Sequence, residues 1–113
     1  LALAGSQWIS VAEDLGLRVG REIFADRALN TDGTLVSRSK EGSVIHDIQE
    51  VVDRSLRMVT EGKAVAISGE VIDVEADSLC LHGDTPGAVD MAQALKQALV
   101  AEDVEVTPLG ELV

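Results

Sequence analysis

Two strand-like runs in this chain end abruptly in ionisable residues, and this pattern narrows the possible folds more than any other feature. Leu17 to Ile23 leads into Phe24-Ala25-Asp26-Arg27, and Leu79-Cys80-Leu81 leads into His82-Gly83-Asp84-Thr85-Pro86. Open and barrel-shaped α/β sheets keep their chemistry at such places, because a buried strand fixes the backbone while the residue beyond it reaches a ligand. A third marker lies between the two. Asp32-Gly33-Thr34-Leu35-Val36-Ser37-Arg38 reads as a turn leading to an isolated arginine.

The rest of the chain alternates helix and strand. Ser6 is placed to cap a short helix whose apolar positions Trp8, Ile9, Val11, Ala12 and Leu15 recur at helical spacing, with Gly16 closing it. Leu17 to Ile23 reads as a strand. Asp47 is a good N-cap for a helix with the stripe Ile48, Val51, Val52, Leu56 and Val59, ended by Glu61-Gly62. Lys63–Ile67 and Val71–Val74, separated by Gly69, read as strand or hairpin. Ser78–Leu81 reads as a buried strand. A last helix then starts at an Asp84 or Thr85 cap with Pro86 in its first turn, and turns Met91, Ala92, Leu95 and Leu99 inward. Val104-Glu105-Val106 forms a weak final strand before the turn Thr107-Pro108-Leu109-Gly110.

Strands separated by helices imply parallel pairing through crossovers, and so an α/β fold. Hydrophobic residues make up 46% of the 113, enough for one domain core. Trp8, Phe24, Met58 and Met91 are the only large aromatic or thioether side chains, which leaves Val, Leu, Ile and Ala to fill that core.

Charge excludes several function classes. The chain carries 20 acidic against 9 basic residues, a net charge of −11, with the basic ones scattered. Nucleic acid and anionic membrane surfaces would be repelled. No apolar run approaches the ~20 residues that a spanning helix needs. Cys80 is the single cysteine, so no internal disulfide forms, and the chain suits a reducing, cytoplasmic compartment. Lying in a strand without a basic neighbour, Cys80 reads as an inert core thiol. There is no Walker-type glycine loop and no strand–GxGxxG–helix unit in these residues.

His82-Gly83-Asp84 is the sharpest chemical signal. An imidazole exchanges protons near neutral pH or ligates a metal, a neighbouring carboxylate orients it, and Gly83 lets a substrate approach the backbone. The plainer alternative makes Asp84 a helix cap and His82 a hydrogen-bonded strand end. At Asp26-Arg27, the planar guanidinium suits a carboxylate or phosphate and the acid can hold it or transfer protons; the alternative is an ion pair bracing the loop. Arg38 sits on a loop able to close over a ligand, and His46, just before a cap, reads as structural.

Several blocks in order, Gly16-Leu17-Arg18-Val19, Glu22-Ile23-Phe24-Ala25-Asp26-Arg27-Ala28, Asp32-Gly33-Thr34-Leu35-Val36, Gly42-Ser43-Val44-Ile45 and Leu79-Cys80-Leu81-His82-Gly83-Asp84, resemble the LamB/YcsF family from about Leu15 to Leu109. The chain departs from the family at Leu29, where an aromatic, usually Tyr, is common. Family members open with an Asp/Asn-rich strand, an Asn-Ile-Ala-Cys-Gly-type block and a Lys-Pro-His-Gly block, none of which occurs here. The chain, starting at Leu1 without an initiator Met, is therefore expected to be a single partial domain over residues 1–113, the C-terminal portion of the family's barrel.

The resemblance implies a distorted (β/α) barrel of the glycoside hydrolase/deacetylase type. It also implies a component of ATP-dependent 5-oxoprolinase, which opens the lactam ring of 5-oxo-L-proline to L-glutamate together with two further subunits, ATP and Mg. This fragment alone is expected to be inactive. A lactam amide is a poor electrophile, and phosphorylation of its oxygen makes ring opening by water feasible. On this reading His82, Asp84 and Asp26 are catalytic, Arg27, Arg38 and Gly83 bind substrate, and no residue is assigned to a metal. Two alternatives stay open: a metal-dependent amide or carbohydrate hydrolase, with His82 and Asp84 joined by ligands from upstream, and a non-catalytic scaffold protein.

Overall fold

Nine short elements follow one another, and the computed structural model describes all 113 residues. In order they are β1 (Ala2–Leu3), α1 (Gln7–Asp14), β2 (Arg21–Phe24), α2 (Ile48–Glu61), β3 (Lys63–Val65), β4 (Val71–Asp73), β5 (Ser78–Cys80), α3 (Ala88–Ala101) and α4 (Leu109–Leu112). β1, β2 and β5 form a parallel sheet with β2 in the centre, pairing Leu3 with Glu22 and Phe24 with Cys80. β3 and β4 make a separate antiparallel hairpin, pairing Ala64 with Ile72. The fold is thus α/β with parallel strands, and the three strands do not themselves close a barrel. No helix is long and apolar enough to cross a membrane.

The two-residue period of a strand sorts its side chains between faces. Ile23 and Ala25 after it, with Leu79 and Leu81, turn toward α2 and α3. There they meet two buried clusters, one around Val51, Val52, Met91 and Leu95, the other around Leu29, Met58 and Ala64. Glu22, Phe24, Ser78 and Cys80 take the opposite face and are half-buried.

α2 is well terminated. Asp47 Oδ1 accepts from the Glu50 N–H at 2.8 Å, and Gly62, at φ +66°, closes the helix in the left-handed region. Its buried face runs through Val51, Val52, Ser55 and Met58, so Ile48 at the first turn stays 38% exposed rather than joining the stripe.

Four sequence expectations are corrected. The second strand begins only at Arg21: the Leu17 N–H bonds back to Ala12 O, which ends α1 and leaves Leu17 at the surface. α1 forms with Ser6 at its N-cap position, but the hydroxyl makes no cap bond and no residue of the helix is buried. A two-residue edge strand offers α1 too little surface to cover Trp8, Val11 and Leu15. At α3, neither Asp84 nor Thr85 caps and Pro86 precedes the helix; the N-cap is Gly87 at φ +80°. Val104–Val106 is not a strand, because a left-handed Asp103 and a Val104 N–H to Leu99 O bond turn the chain back over α3. There Val104 and Val106 line an apolar groove with Leu79, Leu95 and Leu99, and α4 follows.

Two substitutions in and beside α2 should behave oppositely. The Ser55 hydroxyl is fully buried without a hydrogen-bond partner, and such a group costs about 1–3 kcal/mol. Ser55→Ala is expected to be neutral or stabilising in urea unfolding. Gly62→Ala forces a left-handed alanine, with Cβ 3.2 Å from Val74 O, and should cost about 1–2 kcal/mol. Greater loss from Ser55→Ala than from Gly62→Ala would contradict this packing.

Candidate active site

Because β2 and β5 lie side by side with Phe24 opposite Cys80, the residues two further along each chain, Asp26 and His82, emerge together at the C-terminal end of the sheet. The Ala25 N–H to Cys80 O bond, 2.9 Å, carries the ladder past the strands and fixes this register. His82 Nδ1 lies 2.8 Å from Asp26 Oδ1, and the His82 backbone N–H donates to Oδ2 at 3.4 Å. A carboxylate oxygen only accepts, so Nδ1 carries the hydrogen and neutral His82 keeps its lone pair on Nε2. The Phe24 ring stacks on the imidazole, with centroids 5.3 Å apart and planes 7° from parallel. Asp26 has no exposed side-chain surface, whereas the His82 side chain is 24% exposed. A buried acid thus orients a ring that still meets solvent.

The loop that presents Asp26 is gripped from α2. Arg54 Nη1 donates to Phe24 O at 2.9 Å and Ala25 O at 2.6 Å, and Nη2 donates to Arg27 O at 2.9 Å. Burial pushes the Arg54 guanidinium below its ordinary pKa, with the charges of Glu50 and Asp26 acting the other way. It stays a cation regardless. Sequence reading missed this residue, since its partners are carbonyls 27 to 30 positions upstream and only its polar place on a helix was visible.

The other sequence-derived candidates are placed as follows. Arg27 is 7% exposed; its Nη2 donates to Val36 O at 2.8 Å, its Nε is buried without a partner, and no carboxylate lies in ion-pair range. Arg38 is exposed and its guanidinium makes no hydrogen bond or ion pair. Gly83 is exposed with open space where a Cβ would stand, and Asp84 is an exposed carboxylate with no hydrogen bond. His46 is exposed beside the Asp47 cap, and Leu29 is a core residue, 4% exposed. Asp26 and His82 are the pair brought into contact. Three surface clefts, of about 750, 350 and 750 Å³, are lined by other residues. No three His, Cys, Asp or Glu side chains converge as metal ligands, so a metal held by His82 would need ligands from outside this chain.

A histidine oriented by a buried acid at the carboxyl ends of neighbouring parallel strands defines an α/β protein with a candidate acid–base site. Residues 1–113 match the model of the LamB/YcsF family, and the chain belongs to that family. It is similar to the A-type 5-oxoprolinase subunit of Thermococcus onnurineus, at 47% identity over 111 residues, covering 98% of this chain and 44% of that protein. The corresponding 5-oxoprolinase subunit of Cutibacterium acnes is 50% identical over 105 residues, covering 93% and 41%. The crystal structure of a lactam utilization protein from Thermus thermophilus superimposes with a TM-score of 0.83 at 43% identity, covering 90% of this chain and 40% of that one. The chain spans less than half the length of these relatives.

Cys80 shares the sheet face with Glu22 and Asp26. Burial pushes its thiol pKa up, and the charges of Glu22 and Asp26 and a hydrogen bond to Glu22 push the same way. A folded pKa above the unfolded one means that the protonated thiol is favoured in the native state. The stabilising contribution is complete below the unfolded value and is lost as pH rises through the raised folded value. Cys80 is therefore expected to alkylate more slowly with iodoacetamide at pH 8 in the native protein than in urea. Equal rates in both states would contradict this environment.

Proposed function

We propose that this chain is the C-terminal portion of a (β/α) barrel component of ATP-dependent 5-oxoprolinase, and that Asp26 and His82 are its acid–base pair for opening the lactam ring. The observation that carries the reading is the 2.8 Å contact between His82 Nδ1 and Asp26 Oδ1 at the strand ends. Support comes from relatives named as 5-oxoprolinase subunits and from a matching structure named a lactam utilization protein. Partner subunits and a cytoplasmic setting belong to the same proposal.

His82 Nε2 accepts a proton from water as the water oxygen bonds to the lactam carbonyl carbon. The ring C–N bond then breaks, and the proton returns to the departing nitrogen, giving the amine and carboxylate of L-glutamate. Asp26 fixes the tautomer and stabilises the imidazolium that forms between the two transfers. Phe24 limits tilting of the ring. Arg38, whose guanidinium is unpartnered, is assigned to the substrate carboxylate, and the open backbone at Gly83 to close substrate approach. Arg27 is assigned to the same recognition through its loop, and Asp84, free on the loop after His82, as an accessory carboxylate. ATP with Mg is assigned to the complete assembly. Glu22 and Asp26 make this sheet face anionic and no glycine-rich loop cradles a phosphate, so these residues do not fit the nucleotide and no step here runs through it.

His82→Ala, in the complete protein assayed with its partner subunits, is expected to lower 5-oxoproline turnover by at least ~100-fold, the lower range for loss of a general acid–base residue. The thermal unfolding midpoint should move little, because α3 starts at Gly87 and the core lies on the other face of the sheet. Full turnover in a folded His82→Ala protein would reduce the histidine to a structural residue.

A further inference from the structure

We infer that Arg54 is the positioning residue of the Asp26–His82 pair, a role that rests on the functional reading above and extends it to a side chain on another element. Three carbonyls that bracket Asp26, those of Phe24, Ala25 and Arg27, all accept from this one guanidinium, at 2.9, 2.6 and 2.9 Å. In a continuing strand, successive carbonyls point to opposite edges. Those of Phe24 and Ala25 converge on Nη1 because the chain turns there, and Arg54 is the donor that satisfies the turn. The peptide carbonyl of Asp26 itself accepts from the Ile45 N–H at 2.8 Å. Every carbonyl from Phe24 to Asp26 and that of Arg27 is thereby held, leaving the Asp26 side chain one direction, toward His82.

The chemistry of the group fits the task. Carbonyls spread around a bend need donors spread in a plane, which a guanidinium supplies and a single ammonium does not. Its mount is firm, since Val51 and Ser55 on either side along α2 are fully buried. Its positive charge also acts on Asp26, the carboxylate it places. Without Arg54, three partly buried carbonyls lose their donor, a loss that costs of the order of a hydrogen bond each. The turn then relaxes, the carboxylate moves off Nδ1, and the ring no longer holds one tautomer. Arg54 touches no part of the candidate substrate site, so its loss should appear in kcat rather than KM.

The test uses the complete protein with its partner subunits and follows two readouts, steady-state kinetics and the 15N spectrum of histidine-labelled protein, with His82 assigned by His82→Ala. Arg54→Met is expected to lower kcat by about 10- to 100-fold with KM near wild type, the usual range for a residue that orients a functional group. The His82 ring should change from a single Nδ1–H tautomer to a mixture. Arg54→Lys, which keeps the charge but not the fork, should fall between, and serves as the test if Arg54→Met does not fold. Arg57→Ala, which removes an exposed pair with Glu61 on the same helix, should leave both readouts unchanged. A fixed tautomer in Arg54→Met, with or without loss of turnover, overturns the positioning role. Full turnover in His82→Ala together with a mixed tautomer in Arg54→Met overturns the functional reading and leaves the positioning role standing.

Discussion

Parallel pairing of β2 on β5, in the register that sets Phe24 opposite Cys80, is the constraint on which the rest of the molecule depends. The pairing aligns two period-two patterns. Odd-numbered Ile23, Ala25, Leu79 and Leu81 therefore all reach the clusters under α2 and α3, while Glu22, Phe24, Cys80 and then Asp26 and His82 take the other face. A slip of one residue would exchange the faces, burying a carboxylate among leucines and exposing the core. The apolar packing that stabilises the sheet is thus also what brings an acid and an imidazole into contact.

Burial of Asp26 sets the second condition. A carboxylate with no exposed surface is tolerated only when its oxygens find donors, and here both donors come from His82, one from the ring and one from the backbone. Arg54 meets the same condition with the opposite charge, by donating to three carbonyls. The two charged groups act across one turn of backbone, each fixing what the other needs. Arg27 is left with a buried, unpartnered Nε, the one strained detail in this loop.

Sequence reading reached the α/β class, α2 with its Asp47 cap, the hairpin, the buried strand at Ser78 and the meeting of Asp26 with His82, because each rests on local period or on a strand end. It failed where tertiary geometry decides. Asp84 and Thr85 look like caps in isolation, yet Gly87 starts α3 because the loop after His82 runs on before the helix begins. Val104–Val106 has strand composition, but a left-handed Asp103 directs it across α3, where no strand edge is available. The stripe on α1 was legible, but the 113 residues supply nothing to cover it. Arg54 had no sequence signature, since a side chain that bonds to distant carbonyls leaves no spacing rule.

The central claim is that Asp26 and His82 act as one unit, and a double-mutant cycle on kcat measures that directly. Asp26→Asn, His82→Gln and the combined variant are compared in the complete protein with its partner subunits. If the carboxylate works only by holding the imidazole, its loss has no further effect once the imidazole is gone. The double variant then falls no lower than His82→Gln alone, and the coupling free energy equals the whole effect of Asp26→Asn. Losses that simply multiply would show two independent residues that happen to touch, and would contradict the pair as a catalytic unit.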